Sequence, residues 1–147
     1  MWRDIARRAE LYGVPVPPAQ PPYPLPNSPR ANLLAHLGMR EGWGEDYVAA
    51  SYRRWFLDGL PTGEDPNRSA SLREVGQDPE AAFARAQTPE NMAAVQAETD
   101  LAIRLGLCGS PCFVVGTEIF WGDDRLEDAI SWLRHGTLRT ADRLASG

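Results

Sequence analysis

Apolar residues recur at helical spacing along most of this chain and gather into short, unbroken runs in one place only, near residue 112. Trp2, Ile5, Ala9 and Tyr12 share one helical face, and Gly13 follows where a left-handed residue commonly ends a helix. Ser28 as cap and Pro29 at the first helical position predict a second helix, with Leu33, Leu34 and Leu37 on its buried side and a stop near Gly42. Gly44–Asp58 predicts a third, with Val48, Tyr52, Trp55 and Phe56 grouped on one side. Those side chains suit a core between helices, and secondly a pocket wall. Asp65-Pro66, Asp78-Pro79 and Thr88-Pro89 each join a capping side chain to a proline, so each predicts a helix start. Leu72 and Val75 pack the first of these, and Ala82 and Phe83 the second. The third runs to Leu105 with Met92, Val95, Thr99, Ala102 and Ile103 inward, and Gly106 closes it. Their lengths differ and no period recurs, which makes them a helical insertion and not a repeat array.

The pattern changes at Pro111. Pro111-Cys112-Phe113-Val114-Val115 is an apolar β-run entered through a Ser-Pro bond; Gly116-Thr117-Glu118 reads as a turn and Ile119-Phe120-Trp121 as the returning strand. Gly122 breaks that strand, and Asp123-Asp124 open a last helix with Leu126, Ala129, Ile130 and Leu133 on one face. A lone two-stranded hairpin is marginal in water and needs more strands or a covering layer. Near the other end, the stretch from Val14 to Pro29 carries eight prolines in sixteen residues. It can be neither helix nor inner strand. A disordered polyproline linker and a packed crossover both remain open for it.

At 147 residues the chain has the size of one ordinary domain. Its 43% hydrophobic and 24% charged content is that of a water-soluble globular protein. All 15 basic residues are arginine, the net charge is −5, and no basic cluster occurs, so nothing points to a nucleic-acid partner. No apolar run reaches the ~20 residues of a membrane span, and the N-terminus lacks a signal-peptide core. Two cysteines make no disulfide framework. A cytoplasmic protein with reduced thiols is the expectation.

Cys108 and Cys112 stand in C-x-x-x-C spacing, not CxxC, and are expected to be buried and inert. His36 and His135 lie too far from them in sequence to suggest a metal set, so each is expected at a surface or helix end.

The run G-x-x-G-x-P-x-F-V-V-x-x-x-x-F-W-G-x-D-R-L beginning at Gly106 resembles the DsbA-like branch of thioredoxin folds that holds 2-hydroxychromene-2-carboxylate isomerases and kappa-class glutathione transferases. The opening W-R-D-I-A-R-R-A-E-L-Y-G-V-P is similar to a segment that follows the N-terminal β-α-β unit in that family. Together the likeness covers about residues 2–135. It implies an α/β fold, incomplete and thioredoxin-like (DsbA-like), mostly helical, in one domain over 1–147. The helical part is expected at about 28–106 and the β-β-α part at about 107–135. The β-α-β unit, with the family's thiolate-holding serine, is expected to lie outside this chain, so the catalytic residue is left unassigned.

The resemblance also implies a function: a glutathione-dependent isomerase or transferase of the 2-hydroxychromene-2-carboxylate isomerase type, acting on small molecules like those of aromatic degradation. Glutathione is the implied cofactor, and the proline of its site is cis in the family. Ser110 and Pro111 would meet its cysteinyl part through the main chain. Asp123 and Asp124 would hold its γ-glutamyl ammonium, although helix capping by the Asp pair, with Glu127, explains the same residues. Arg125 is expected to pair with an acidic neighbour. The alternatives are a chain left inactive without the activating group, a non-catalytic remnant or binding module of the same fold, and a DsbA-type thiol oxidoreductase. A homodimer is a further family expectation, favoured by an open sheet edge.

Overall fold

Proline at helix starts and glycine just past helix ends set most element boundaries in this chain. A computed structural model describes residues 2–17 and 19–139. They form two compact units, divided between Gln96 and Ala97. The first holds α1 (Trp2–Leu11), α2 (Ser28–Glu41), α3 (Gly44–Asp58), α4 (Asn67–Glu74), α5 (Pro79–Ala86) and the start of α6 (Pro89–Leu105). The second holds the rest of α6, β1 (Cys112–Val115), β2 (Glu118–Trp121), a 3-10 turn at Asp123–Arg125 and α7 (Leu126–His135). Among the described residues the sheet has these two strands alone. No described helix is long and apolar enough to cross a membrane.

In the first unit α2 packs on α3 and α5, and α4 packs on the same two helices. Leu34, Leu37, Trp43, Tyr47, Leu72, Ala82 and Ala86 are the buried core. The α2–α3 corner requires glycine on steric grounds. A Cβ on Gly44 would fall onto the Met39 amide, and one on Gly38 would lie 2.7 Å from the Gly44 Cα and the Trp43 ring. The Trp43 indole then stands edge-on to Tyr47, with ring centroids 5.9 Å apart.

A polar tie runs through this core. The side chain of Asn67 is fully buried; its Nδ2 donates to the carbonyls of Ser51 (2.9 Å) and Leu60 (2.8 Å), and its Oδ1 accepts from Ser71 Oγ (2.9 Å). Arg53 and Arg54 extend from α3 to Glu74 of α4 at 2.7 and 2.6 Å. The Arg53 and Arg54 guanidinia hold the Glu74 carboxyl below its ordinary range. Burial has the opposite sense for Tyr47, whose hydroxyl is pushed up to about 12.

The proline-rich segment is a packed crossover, which resolves the choice left open above. Pro21 is buried, and the Trp55 indole donates to the Pro22 carbonyl at 2.9 Å. The Trp2 ring lies edge-on to Tyr23 at 6.3 Å and to Trp55 at 6.5 Å. Pro18 lies outside the described residues.

Two caps and one helix face differ from expectation. Ser28 is the first helical residue, and Asn27 holds the cap position with its side chain bonded to Glu64 (2.8 Å) instead of to the helix. Helix α4 begins at Asn67, one residue late, with Asp65 accepting the Ser69 amide at 3.2 Å. Asp78 and Thr88 cap as expected, accepting from the amides of Ala81 (2.8 Å) and Asn91 (3.3 Å). In α6 the predicted inward face is wrong: Met92, Thr99 and Ile103 are exposed, and Val95 and Ala102 are half-buried. Asn91 is the buried residue, donating to the carbonyls of Leu33 (3.1 Å) and Ala86 (2.8 Å). One residue turns a helix by about 100°, so anchoring Asn91 sends Met92 outward. Asn91 also engages His36 Nδ1 at 3.0 Å, so His36 is half-buried and bonded, not a surface residue.

In the second unit β1 and β2 pair antiparallel from Cys112 opposite Trp121 to Val115 opposite Glu118. Helix α7 covers both strands, and Phe120 is buried with its ring 6.3 Å from that of Trp132. The predicted stripe of α7 is corrected as well. Ala129 is buried, but Leu126 and Leu133 are exposed, and Asp128 and Ser131 are buried in their place. Ser131 Oγ donates to the Thr137 carbonyl and accepts the Arg139 amide, both at 3.0 Å, because the chain turns back over it after Gly136.

Removing the Asn67 carboxamide strands two carbonyls and a hydroxyl. Asn67→Ala is expected to cost roughly 2–4 kcal/mol in urea unfolding, above the usual point-mutation loss. The Glu74 carboxyl has a depressed pKa, so its stabilisation is present above about 4.5 and is lost as pH falls through the lower folded value. Urea midpoints measured from pH 6 to pH 3 should therefore fall less steeply in Glu74→Gln than in the wild type.

Candidate functional site

The open end of the hairpin is where the sequence-predicted site residues lie. The ladder does not stop at Cys112 and Trp121, because the Gly122 amide donates to the Pro111 carbonyl at 3.0 Å. That bond joins the residue after Ser110 to the residue before Asp123. It therefore brings Ser110-Pro111 and Asp123-Asp124 to one end of the hairpin, and all four are exposed. The Ser110–Pro111 peptide is cis. The main chain of Ser110 takes no part in the ladder, since the last bond falls at Pro111.

Two contacts hold the loop that enters β1. The Gly109 main chain lies against the Trp121 indole, close enough that a Cβ there would meet Nε1 at 2.6 Å. The Cys112 thiol donates to the Gly109 carbonyl at 2.8 Å. Trp121, 59% exposed, thus flanks the loop, a placement that sequence spacing did not reveal. Both cysteines are free. Cys112 is partly covered, but Cys108 is exposed and not buried as expected, because it lies in a loop whose residues 108–111 are all exposed.

On the other side of the end, Gly122 adopts φ +119 and ψ 151, and a Cβ on it would approach Asp124 Oδ1 to 2.5 Å. Any other residue would be strained in its backbone and crowd the Asp124 carboxylate. The turn 123–125 follows, held by the Arg125 amide donating to the Gly122 carbonyl at 3.2 Å. The cap positions of the turn and of α7 fall at Gly122 and Arg125, and neither makes a side-chain cap bond. Arg125 pairs with the buried Asp128 at 2.8 Å, which was legible in the three-residue spacing. Chemically, this end of the hairpin offers extended main-chain donors and acceptors beside two exposed carboxylates. A peptide-like ligand carrying an ammonium fits that set.

The aromatics of α3 belong elsewhere. Trp55 is buried and Phe56 half-buried, but Tyr52 is half exposed and lines a pocket of the first unit.

The family described as DSBA-like thioredoxin domain matches residues 1–133. A 2-hydroxychromene-2-carboxylate isomerase of Sphingobium xenophagum is 26% identical over 136 residues, covering 90% of this chain and 66% of that protein. The chain thus spans slightly less than two thirds of that relative.

Asp128→Asn should release Arg125 and loosen the turn that carries Asp123 and Asp124. The expected loss is about 1–3 kcal/mol by chemical denaturation. Faster amide exchange at Arg125 and Leu126 should accompany it.

Proposed function

The chain belongs to the DSBA-like thioredoxin domain family, and from that premise we propose that it is a glutathione-dependent isomerase of the 2-hydroxychromene-2-carboxylate isomerase type. Small molecules of aromatic degradation are the proposed substrates. The observation that carries the reading is the 3.0 Å bond from Gly122 to Pro111, by which Ser110 and the Asp pair share one end of the hairpin. The likeness to the Sphingobium isomerase supports the reaction class.

The residues present fit the tripeptide. Ser110 offers an unpaired main chain to an extended cysteinyl backbone, and Pro111 shapes that edge. Asp123 and Asp124 offer carboxylates to the γ-glutamyl ammonium, a charge-assisted contact. The chemistry that glutathione supplies when bound is a nucleophilic sulfur for conjugated double bonds. The role of this chain is to hold and orient it, and no residue here is assigned to activating that sulfur. Free Cys108 and Cys112 suit a reducing compartment, so cytoplasmic residence belongs to the same proposal.

Calorimetry with glutathione tests the reading. A saturable heat at millimolar ligand is expected, weakened roughly tenfold in Asp124→Asn by loss of a charge-assisted bond. Ser110→Val should bind as the wild type does, because its contact is through the main chain. No heat at millimolar glutathione would overturn the proposal and favour a non-catalytic binding module.

A further inference from the structure

The first unit contains a pocket of about 430 Å³, within the range of small-molecule sites and lined by residues of that unit. It lies among α2, α3 and the end of the proline-rich crossover. Tyr23, Tyr47, Tyr52 and Trp55 supply ring surface, and Asn32 and Ser51 supply polar atoms. Every side chain that lines it is uncharged.

Tyr47 and Ser51 stand four residues apart and so lie on one face of α3. They are 1% and 3% exposed, and their hydroxyls lie close enough for Ser51 to act on Tyr47, yet neither has a hydrogen-bond partner of ordinary geometry among the described residues. Buried hydroxyls left this way are costly, and native structures seldom keep them without a partner supplied from elsewhere. The Tyr47 hydroxyl is also held protonated by burial, with the nearby Arg68 charge and Ser51 hydroxyl only partly opposing that. Two neutral hydroxyls therefore stand together among the lining residues, and a ligand oxygen that draws their protons from each other can accept from both.

We propose that this pocket binds a neutral aromatic molecule carrying a carbonyl oxygen, its ring held against Tyr52 and Trp55 and its oxygen accepting from Ser51 and Tyr47. A carboxylate is disfavoured because no lining side chain is charged and Arg68, the cation that acts on the Tyr47 hydroxyl, is already paired with Asp65 and Glu80. The site is distinct in ligand charge and in residues from the glutathione site proposed above, and it stands if that reading fails.

The test uses the full chain and two probes of one shape, 2-acetonaphthone and 2-naphthoate. The reporter is the Trp55 indole N–H in a nitrogen–proton correlation spectrum, since Trp55 forms a wall and its N–H is fixed on Pro22. Titration with 2-acetonaphthone should shift that signal to saturation, and 2-naphthoate should bind at least tenfold more weakly. Tyr47→Phe and Ser51→Ala should each weaken the ketone roughly three- to tenfold, the worth of one hydrogen bond, without lowering the melting temperature of the free protein. Tyr52→Leu, at a half-exposed position that folding tolerates, should weaken both probes by removing a ring surface. Equal binding of naphthoate, unchanged ketone affinity in both hydroxyl variants, or no saturable shift at Trp55 would each overturn the proposal. An effect of the hydroxyl variants on stability alone would mark the pair as structural and overturn it too.

Discussion

A carboxamide removed from water has to find partners for two donors and an acceptor, and Asn67 finds all of them inside the first unit. Its partners come from α3, from the loop after α3 and from α4, so the three segments can assemble in only one register. That register puts Arg53 and Arg54 on Glu74, and it fixes the carbonyl of Ser51 from below. Apolar packing of Leu34, Leu72 and Ala82 supplies driving force but little direction, because hydrophobic contact is not directional. The hydrogen bonds of Asn67 supply the direction.

The second unit meets the same demand with fewer residues. Two four-residue strands cannot bury themselves, so Phe120 is covered by α7, and α7 is held to the strand end through the Asp123–Arg125 turn. Gly122 makes that connection possible, since its backbone angles let the chain leave the sheet and enter the turn within one residue. The exposed Asp123 and Asp124 owe their position to this exit. The bond from Arg125 to the buried Asp128 keeps the turn from fraying.

Much of this was legible in the residues. Helix α3 runs between the residues its pattern marked, Asp78 and Thr88 cap where their prolines said they would, and the hairpin register follows the apolar run. The order of Pro111, hairpin and Asp pair carried the family. Periodicity names a stripe but not what covers it, and there the reading failed. Asn91 took the interior that Met92 and Ile103 had been assigned in α6, and Asp128 and Ser131 took that of Leu126 and Leu133 in α7. A polar side chain with several bonds can outcompete an apolar one for a buried position, and no hydrophobic pattern records those bonds. Tyr47 was overlooked for a related reason. It lies beside the grouped aromatics of α3, on a face buried against Trp43, and only the corner formed by Gly38 and Gly44 brings that ring to it.

The crossover held by Trp55 has a consequence for the unfolded chain. A segment so rich in proline has few conformations to lose, because each ring restricts its own φ and the residue before it. Its ordering against α3 therefore costs less entropy than that of an ordinary loop of equal length, and one indole hydrogen bond with a few ring contacts suffices to seat it. Stiffness written into the covalent chain stands in for contacts the segment does not make.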